Sequence, residues 1–335
     1  MNYIGSKFRM TGFLLGAMRD VVGEDWSDKI FCDIFAGTGA VGCAVKPLVR
    51  KVVANDLEPY SFVLNRNYIG NCKYLSDWKF WLSELNNLPP ASDGFIYQNY
   101  CLGSGSGRCY FSDANGMKID AMRRAIGEWL AEKSISEDMY YFLICSLLEE
   151  ADRLANTASV YGAFLKNLKP MAKKPLVLSP AVFEPTNQQN EVYQEDANSL
   201  IRRVEGDILY LDPPYNVRQY GANYHLLNTI ANYHPFVPKG KTGVGPYQRS
   251  HYCSRVKVFA AFDDLLKNAR FHYVFLSYNN EGLLSPETIR QIMSKYGRYD
   301  CIEMKNQRFK ADRDENRTHH AHNTTEYLHV MVRNG

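Results

Sequence analysis

A chain of 335 residues, 45% hydrophobic and 22% charged, has the length for one large or two ordinary domains and the composition of a soluble globular protein. No apolar run reaches about 18 residues, and Met1-Asn2-Tyr3-Ile4-Gly5-Ser6-Lys7 lacks the apolar centre of a signal peptide, so a cytoplasmic protein without membrane contact is expected. Eight cysteines without a C-x-x-C pair argue against disulfides and structural zinc, and a net charge of +3 leaves any nucleic-acid role to local basic patches.

The Gly5-Ser6-Lys7 turn leads into a helical run, Met10 to Met18. Lys7 stands at its mouth, either as an exposed loop lysine or as a cation for an anionic ligand group. Ile30 to Phe35 reads as the first strand. It runs into Ala36-Gly37-Thr38-Gly39-Ala40-Val41-Gly42, then a helix from Cys43 to Val49, then a second strand, Lys51 to Asn55, closed by Asp56. The glycines match a dinucleotide fingerprint, in which loop amides hold a pyrophosphate. Asp33 argues against that ligand, because its carboxylate would face a diphosphate. It suits a cationic nucleoside instead, such as S-adenosylmethionine (SAM) with its sulfonium and ammonium groups. Asp56 would then accept from the ribose hydroxyls.

Residues 60–190 break this αβ rhythm. Tyr110 to Gly116 reads as a turn, and Ile119 to Glu132 and Glu137 to Ala155 as helices, with Ser136-Glu137-Asp138 as a start signal. Lys166, Lys169, Lys173 and Lys174 follow, interrupted by Pro170 and Pro175. Beside polar and aromatic residues they suit phosphate contacts, or else a solvated surface loop. The region reads as a mostly helical insertion.

The rhythm resumes at Glu191 to Asp196, with a short helix from Ala197 to Ile201, and Asp196 falls on the presumed ligand edge. Gly206 to Leu211 then reads as a buried strand ending in Asp212-Pro213-Pro214-Tyr215. An acid at the carboxyl end of such a strand lies where open α/β sheets bind ligands. The prolines hold the chain extended and lack N–H donors, so neighbouring carbonyls face the site. Carboxylate, carbonyl and aromatic ring together suit a flat amine. Arg218, Tyr220, Asn223, Tyr224 and His225 form a polar and aromatic cluster beyond it, and residues 234–257 read as a mobile loop. Tyr273 to Tyr278 and Glu326 to Val332 are strands. Between them Lys305, Arg308, Lys310, Arg313 and Arg317 form a basic loop, and His319, His320 and His322 read as part of that loop rather than as a metal site.

Taken together, these motifs resemble the Dam-type, alpha-class DNA adenine-N6 methyltransferases. The match runs through Tyr3-Ile4-Gly5-Ser6-Lys7, Asp33 to Gly39, Asn55-Asp56, Asp196, Asp212 to Tyr215 and Ser277-Tyr278-Asn279-Asn280, in the alpha-class order. Asn115-Gly116 with Lys118-Ile119-Asp120, and Val160-Tyr161-Gly162, are similar to the subgroup that includes the FokI-type modification enzymes. The first motif departs from Dam itself, with tyrosine and serine where Dam has tryptophan and glycine. The resemblance implies a Rossmann-like α/β fold with a seven-stranded, mostly parallel sheet ending in an antiparallel hairpin. It implies a SAM-binding catalytic domain from residues 1–70 and 191–335, and an inserted helical target-recognition domain from 71–190. Tyr3 and Lys7 would sit over SAM. Asp33, Phe35 and the Gly37-Thr38-Gly39 turn would cradle its methionine part, Asp56 its ribose and Asp196 its base, with Asp212 adjoining. A cognate restriction endonuclease acting on the same double-stranded DNA site is an implied partner.

The expected chemistry needs no metal and no covalent intermediate. The Asp212 carboxylate and the Pro213 carbonyl accept both N–H bonds of the adenine amino group, and Tyr215 stacks on the flipped-out base. Lys166, Lys169, Lys173, Lys174, Arg218, Tyr220 and the basic loop would contact DNA. Methylation of the cytosine amino group fits the same tetrapeptide, and motif order favours adenine. A glutamine or RNA methyltransferase is disfavoured by the insertion. A non-catalytic DNA-binding subunit retaining the fold is disfavoured by the intact Asp212 and glycine loop.

Overall fold

A computed structural model describes residues 7–158, 160–307 and 323–333. In chain order the helices are α1 (Thr11–Val22), α2 (Ala40–Val45), α3 (Pro59–Asn65), α4 (Trp78–Asn87), α5 (Phe95–Tyr100), α6 (Asp113–Ala131), α7 (Glu137–Leu154), α8 (Ala197–Leu200), α9 (Tyr220–Asn223), α10 (His225–Asn232), α11 (Val258–Asn268) and α12 (Pro286–Met293). The strands are β1 (Ile30–Asp33), β2 (Lys51–Asn55), β3 (Glu191–Tyr193), β4 (Glu205–Leu211), β5 (Arg270–Asn279), β6 (Arg298–Gln307) and β7 (Asn323–Val332). The chain folds as two compact units.

Among the described residues, the sheet unit comprises Lys7–Leu57, Gln188–Gln219 and those within Arg249–Gly335. Its seven strands run in the order β3-β2-β1-β4-β5-β7-β6. β1 to β5 pair in parallel, and β7 joins β5 and β6 antiparallel. The seven-stranded, mostly parallel α/β sheet with a closing antiparallel hairpin therefore stands as expected. Parallel strands covered on both faces must be apolar throughout. Ile208, Leu209 and Leu211 of β4 and Val274, Phe275 and Leu276 of β5 accordingly have essentially no exposure. Phe262, Leu265 and Leu266 of α11 and Ile289 and Ile292 of α12 pack in one core with Leu209, Leu211, Val274 and Leu276. The order reverses between β1 and β4: successive strands step away on one side of β1, then on the other. That reversal is the place where open α/β sheets bind ligands, beyond the carboxyl ends of the strands.

Among the described residues, the helical unit comprises Glu58–Asn187 and Tyr220–Gln248. It thus takes in α3, α9 and α10 as well as the 71–187 part of the expected insertion, whereas residues 188–190 fall in the sheet unit. The reason is burial: Tyr60, Val63 and Leu64 of α3 and Leu226, Leu227 and Ile230 of α10 belong to one core with Phe142, Leu143, Leu147 and Leu148 of α7. Polar side chains finish the helix ends that this packing buries. Asp120 accepts from the backbone N–H groups of Ile96 (2.9 Å) and Tyr97 (2.8 Å), satisfying donors at the start of α5. The Arg123 guanidinium donates to the carbonyls of Ile230 and Ala231, both at 3.0 Å, at the end of α10.

Several element expectations change. Asp113–Gly116 is the first turn of α6, not part of a loop turn. Ser112 caps it, its Oγ accepting from the Asn115 N–H. Gly116 is glycine because Cys101 lies against it: a Cβ there would collide with the Cys101 Sγ. β3 ends at Tyr193 rather than Asp196, and β1 ends at Asp33 rather than Phe35. Residues 251–253 of the expected loop form a short 3₁₀ turn. Lys305 belongs to β6, a strand absent from the sequence reading.

Candidate active site

The site assembles on the sheet unit at the β1/β4 reversal. Asp33 is in register with Tyr210, so Asp212, two residues further along, lies just past the end of β4 beside it. The Asp33 side chain is 1% exposed, and its Oδ1 has no hydrogen-bond partner among the described residues. Burial pushes its carboxyl well above the usual carboxylate range, and the neighbouring Asp212 and Asp56 carboxylates add to the push. The backbone N–H groups of Phe35 and Gly42 offset part of it.

The glycine loop follows from β1 by necessity. Gly37 and Gly39 have φ of 53° and 78°, values that residues with a Cβ rarely adopt. Gly37 N–H donates to Asp56 Oδ2 at 2.8 Å. This loop amide is therefore occupied by a carboxylate, which disfavours a pyrophosphate and leaves the cationic-nucleoside reading standing. Asn55, at the end of β2, ties that end to the segments that follow β1 and β3. Its amide donates to the carbonyls of Ile34 (3.0 Å) and Glu195 (3.1 Å) and accepts from Glu195 N–H (3.0 Å). Phe35 packs edge-on against Tyr252, with centroids 4.8 Å apart. Thr38 is half-buried in the turn. Asp196 is exposed and caps α8, its Oδ1 accepting from Ser199 N–H at 3.1 Å.

Asp212 stands in a polar cluster that the sequence only partly anticipates. Lys7 is buried, with Nζ 3.4 Å from Asp212 Oδ1 and 2.5 Å from the Tyr215 hydroxyl oxygen. Nζ also forms an ion pair with Glu326, on β7. The Tyr215 hydroxyl lies 2.5 Å from Asp212 Oδ1 and 2.9 Å from Glu326 Oε1; having one proton, it donates to one of them at a time. Burial pushes the Tyr215 phenol well up, so it remains a donor. Ser277 Oγ donates to Glu326 Oε1 at 3.1 Å. Burial pulls the Lys7 ammonium down, but Asp212 and Glu326 more than reverse this and the net shift is upward. Burial dominates at Asp212, and despite the Lys7 cation its carboxyl is pushed up to about 6.

Lys7, Asp33, Phe35, Gly37, Thr38, Gly39, Asp56, Asp212, Pro213, Pro214 and Tyr215 thus share the carboxyl edge of one sheet. The expected stacking ring of Tyr215 meets Tyr278 edge-on, with centroids 4.9 Å apart. Glu326 was missed as a site residue; its only sequence signal was a charged residue opening an otherwise apolar final strand. Arg218 is exposed beyond the tetrapeptide, and Tyr220 begins α9 in the helical unit. There Lys166, Lys173 and Lys174 are exposed, whereas Lys169 Nζ donates to the Thr157 carbonyl at 3.0 Å. Tyr3, Arg308, Lys310, Arg313, Arg317, His319, His320 and His322 lie outside the described residues, as does the Lys305 side chain.

The residues fit SAM. A buried carboxyl group with an oxygen that has no partner among the described residues, beside two more acids, calls for a cation, and the Gly37–Gly39 turn brings backbone close without a Cβ.

Comparison with known proteins places this chemistry. The sequence matches the pattern of the D12 class N6 adenine-specific DNA methyltransferases over residues 3–292. It is 58% identical over 331 residues to the type II methyltransferase M.NlaIII of Neisseria lactamica, covering 99% of each chain. It is 34% identical to M.CviAII of Paramecium bursaria Chlorella virus 1, covering 93% of each, and 35% identical to M.FokI of Planomicrobium okeanokoites, of which it spans 50%. The family decides for the adenine amino group over that of cytosine, and the chain belongs to the D12 class N6 adenine-specific DNA methyltransferases.

Proposed function

We propose that Asp212 and the Pro213 carbonyl hold the target adenine N6 amino group, and that Lys7, Asp33, the Gly37–Gly39 turn and Asp56 form the SAM side of the same edge. The observation that carries this reading is the acceptor set at the sheet reversal: Asp212 just beyond β4, beside Asp33, whose Oδ1 has no hydrogen-bond partner among the described residues. When bound, SAM supplies an electrophilic methyl group.

The adenine amino group is a poor nucleophile because its lone pair is conjugated into the ring. Lys7 and Tyr215 occupy Asp212 Oδ1, which leaves Oδ2 for one N–H of the amine. The Pro213 carbonyl takes the other, drawing the nitrogen towards tetrahedral geometry and exposing its lone pair. Asp212 also opposes the positive charge that develops on nitrogen. Displacement is in line, so positioning supplies much of the acceleration. A carboxyl near 6 can also take the proton that the methylated amine must lose. The base is unreachable within the duplex and must be turned out of the stack; Tyr215, with its hydroxyl anchored, would offer its ring to it.

Asp56 takes the ribose and Asp196 the SAM base on this reading, with Phe35 and Thr38 lining the methionine end and Tyr3 above it. The alpha-class assignment and the FokI-type subgroup rest on motif order and on Asn115-Gly116 with Lys118-Ile119-Asp120. A cognate restriction endonuclease is the partner suggested by relatives named as type II methyltransferases.

The test is to incubate plasmid DNA with methyl-labelled SAM, digest it and separate the nucleosides. Label in N6-methyl-2′-deoxyadenosine is expected. Label in N4-methyl-2′-deoxycytidine, or in no nucleoside, overturns the reading.

A further inference from the structure

Glu326 is 8% exposed, and one oxygen, Oε1, takes the Lys7 ammonium, the Tyr215 hydroxyl (2.9 Å) and the Ser277 hydroxyl (3.1 Å). A buried carboxylate with that many donors is held in one orientation by strands β5 and β7. It also sets where Lys7 sits. Lys7 is in direct contact with Glu326 but 3.4 Å from Asp212, so its ammonium is displaced away from the acid that faces the substrate.

We propose that Glu326 is a positioning residue for methyl transfer: it draws the Lys7 ammonium off Asp212 and keeps that carboxylate available to the target amine. This rests on the reading of Asp212 given above. With Lys7 shared between two carboxylates, the cluster formed by the described residues keeps net negative charge opposite the nitrogen that becomes positive. If Lys7 were to close fully onto Asp212, an ammonium would compete with the adenine N–H groups for the same lone pairs, and the pair would be neutral. Tyr215 follows the same device, because its hydroxyl reaches both acids while Lys7 donates to it.

The groups bearing on this balance come from every described element packed around it. Lys7 precedes α1, Tyr210 lies on β4, Asp212 and Tyr215 follow β4, Glu326 is on β7, and Asp33 lies beyond Asp212 at the end of β1. Ser277 of β5 faces Glu326 but does not titrate in this range. The Glu326 charge raises Asp212, whereas Lys7 lowers it. Removing the charge at 326 therefore acts twice in the same direction, by deleting the carboxylate and by releasing Lys7 towards Asp212. The acid limb of kcat/KM, a property of the coupled cluster, should move to lower pH.

The experiment compares wild type with Glu326→Gln, Glu326→Asp and Asp212→Ala, in the full-length protein with its DNA substrate and SAM. For Glu326→Gln, kcat is expected to fall about ten- to a hundredfold, the loss of one charge-assisted hydrogen bond, with KM for SAM within about threefold and the acid limb shifted down. Glu326→Asp holds the charge one methylene further from Lys7 and should give intermediate values of both kcat and the limb. If Glu326→Gln does not fold, the intermediate shift of Glu326→Asp alone decides. A wild-type kcat and limb in Glu326→Gln overturns the proposal. So does a lost kcat with an unmoved limb and no rescue by Glu326→Asp, the pattern of a purely structural strut. Turnover retained by Asp212→Ala would instead sink the underlying reading of the site.

Discussion

In the ligand-free protein, burial and two neighbouring acids push the Asp33 carboxyl well above the usual carboxylate range. By linkage, a carboxyl raised on folding gives stability that is present below its unfolded value near 3.9 and is lost as pH rises through its folded value. Asp33→Asn keeps the shape without the charge. The variant should unfold at higher temperature than wild type at pH 7 while binding SAM at least about tenfold more weakly; a variant that gained stability without losing affinity would remove Asp33 from the SAM side. At Asp212 the demand differs, since on the proposed reading its carboxylate accepts from the amine. Asp212→Ala should abolish transfer and leave SAM affinity within about tenfold, and Asp212→Asn should be nearly as poor because an amide offers a donor where acceptors are wanted. More than a few per cent residual turnover in either would remove Asp212 from the mechanism. In wild type, kcat/KM should fall as pH drops through about 6, where Asp212 protonates. Both acids were legible in the sequence because each follows an apolar strand. Glu326 was not: its meaning depends on an antiparallel register that pairs it with Asn279, and no local pattern carries that.

At the level of elements, strands with continuous apolar runs were legible, and their boundaries were not. Asn115-Gly116 reads as a turn on local propensity, yet it lies inside α6. There the Asn115 amide donates to the Lys174 carbonyl (2.9 Å) and accepts from Leu176 N–H (3.0 Å), and Gly116 admits Cys101. Tertiary packing overrides the propensity. β6 escaped notice because Arg298, Asp300, Glu303 and Lys305 break its apolar pattern, as charges do on an edge strand. Asn55 is an element-scale device, since one amide ties the ends of β1 and β2 to the segment after β3. Asn55→Ala leaves the Ile34 and Glu195 carbonyls and the Glu195 N–H without these partners. It should cost about 2–4 kcal/mol and weaken SAM binding, although Asn55 itself is assigned no contact with SAM. Denaturant midpoints and titration calorimetry on the same variant check both halves. Lost stability with intact affinity would mean that the glycine loop holds its shape without this clamp.

For the molecule as a whole, the chemistry needs one adenine placed to within ångströms, whereas DNA must be held along many phosphates. These demands call for different side chains. Phosphate contacts from lysine carry no sequence information but set the salt dependence of binding, while base contacts choose the target. Lys166, Lys173 and Lys174 are exposed in the helical unit, in a segment otherwise anchored by buried groups such as Ala172 and Leu176. Lys169 differs, because its ammonium is spent on the Thr157 carbonyl and its replacement would disturb the fold. Replacing the three exposed lysines by glutamine, with Lys169 intact, should weaken binding to cognate and unrelated duplexes alike. It should also flatten the slope of log K against log salt by about 0.9 for each phosphate no longer neutralised, about 2.7 in all. At saturating DNA, kcat should hold within about threefold, because none of these residues is assigned to the reacting groups. The same adenine should be methylated. Binding measured from about 50 to 200 mM salt, with mapping of the methylated position, decides the matter. An unchanged slope would leave these lysines as solvated surface, and an altered target with the slope preserved would assign base reading to them.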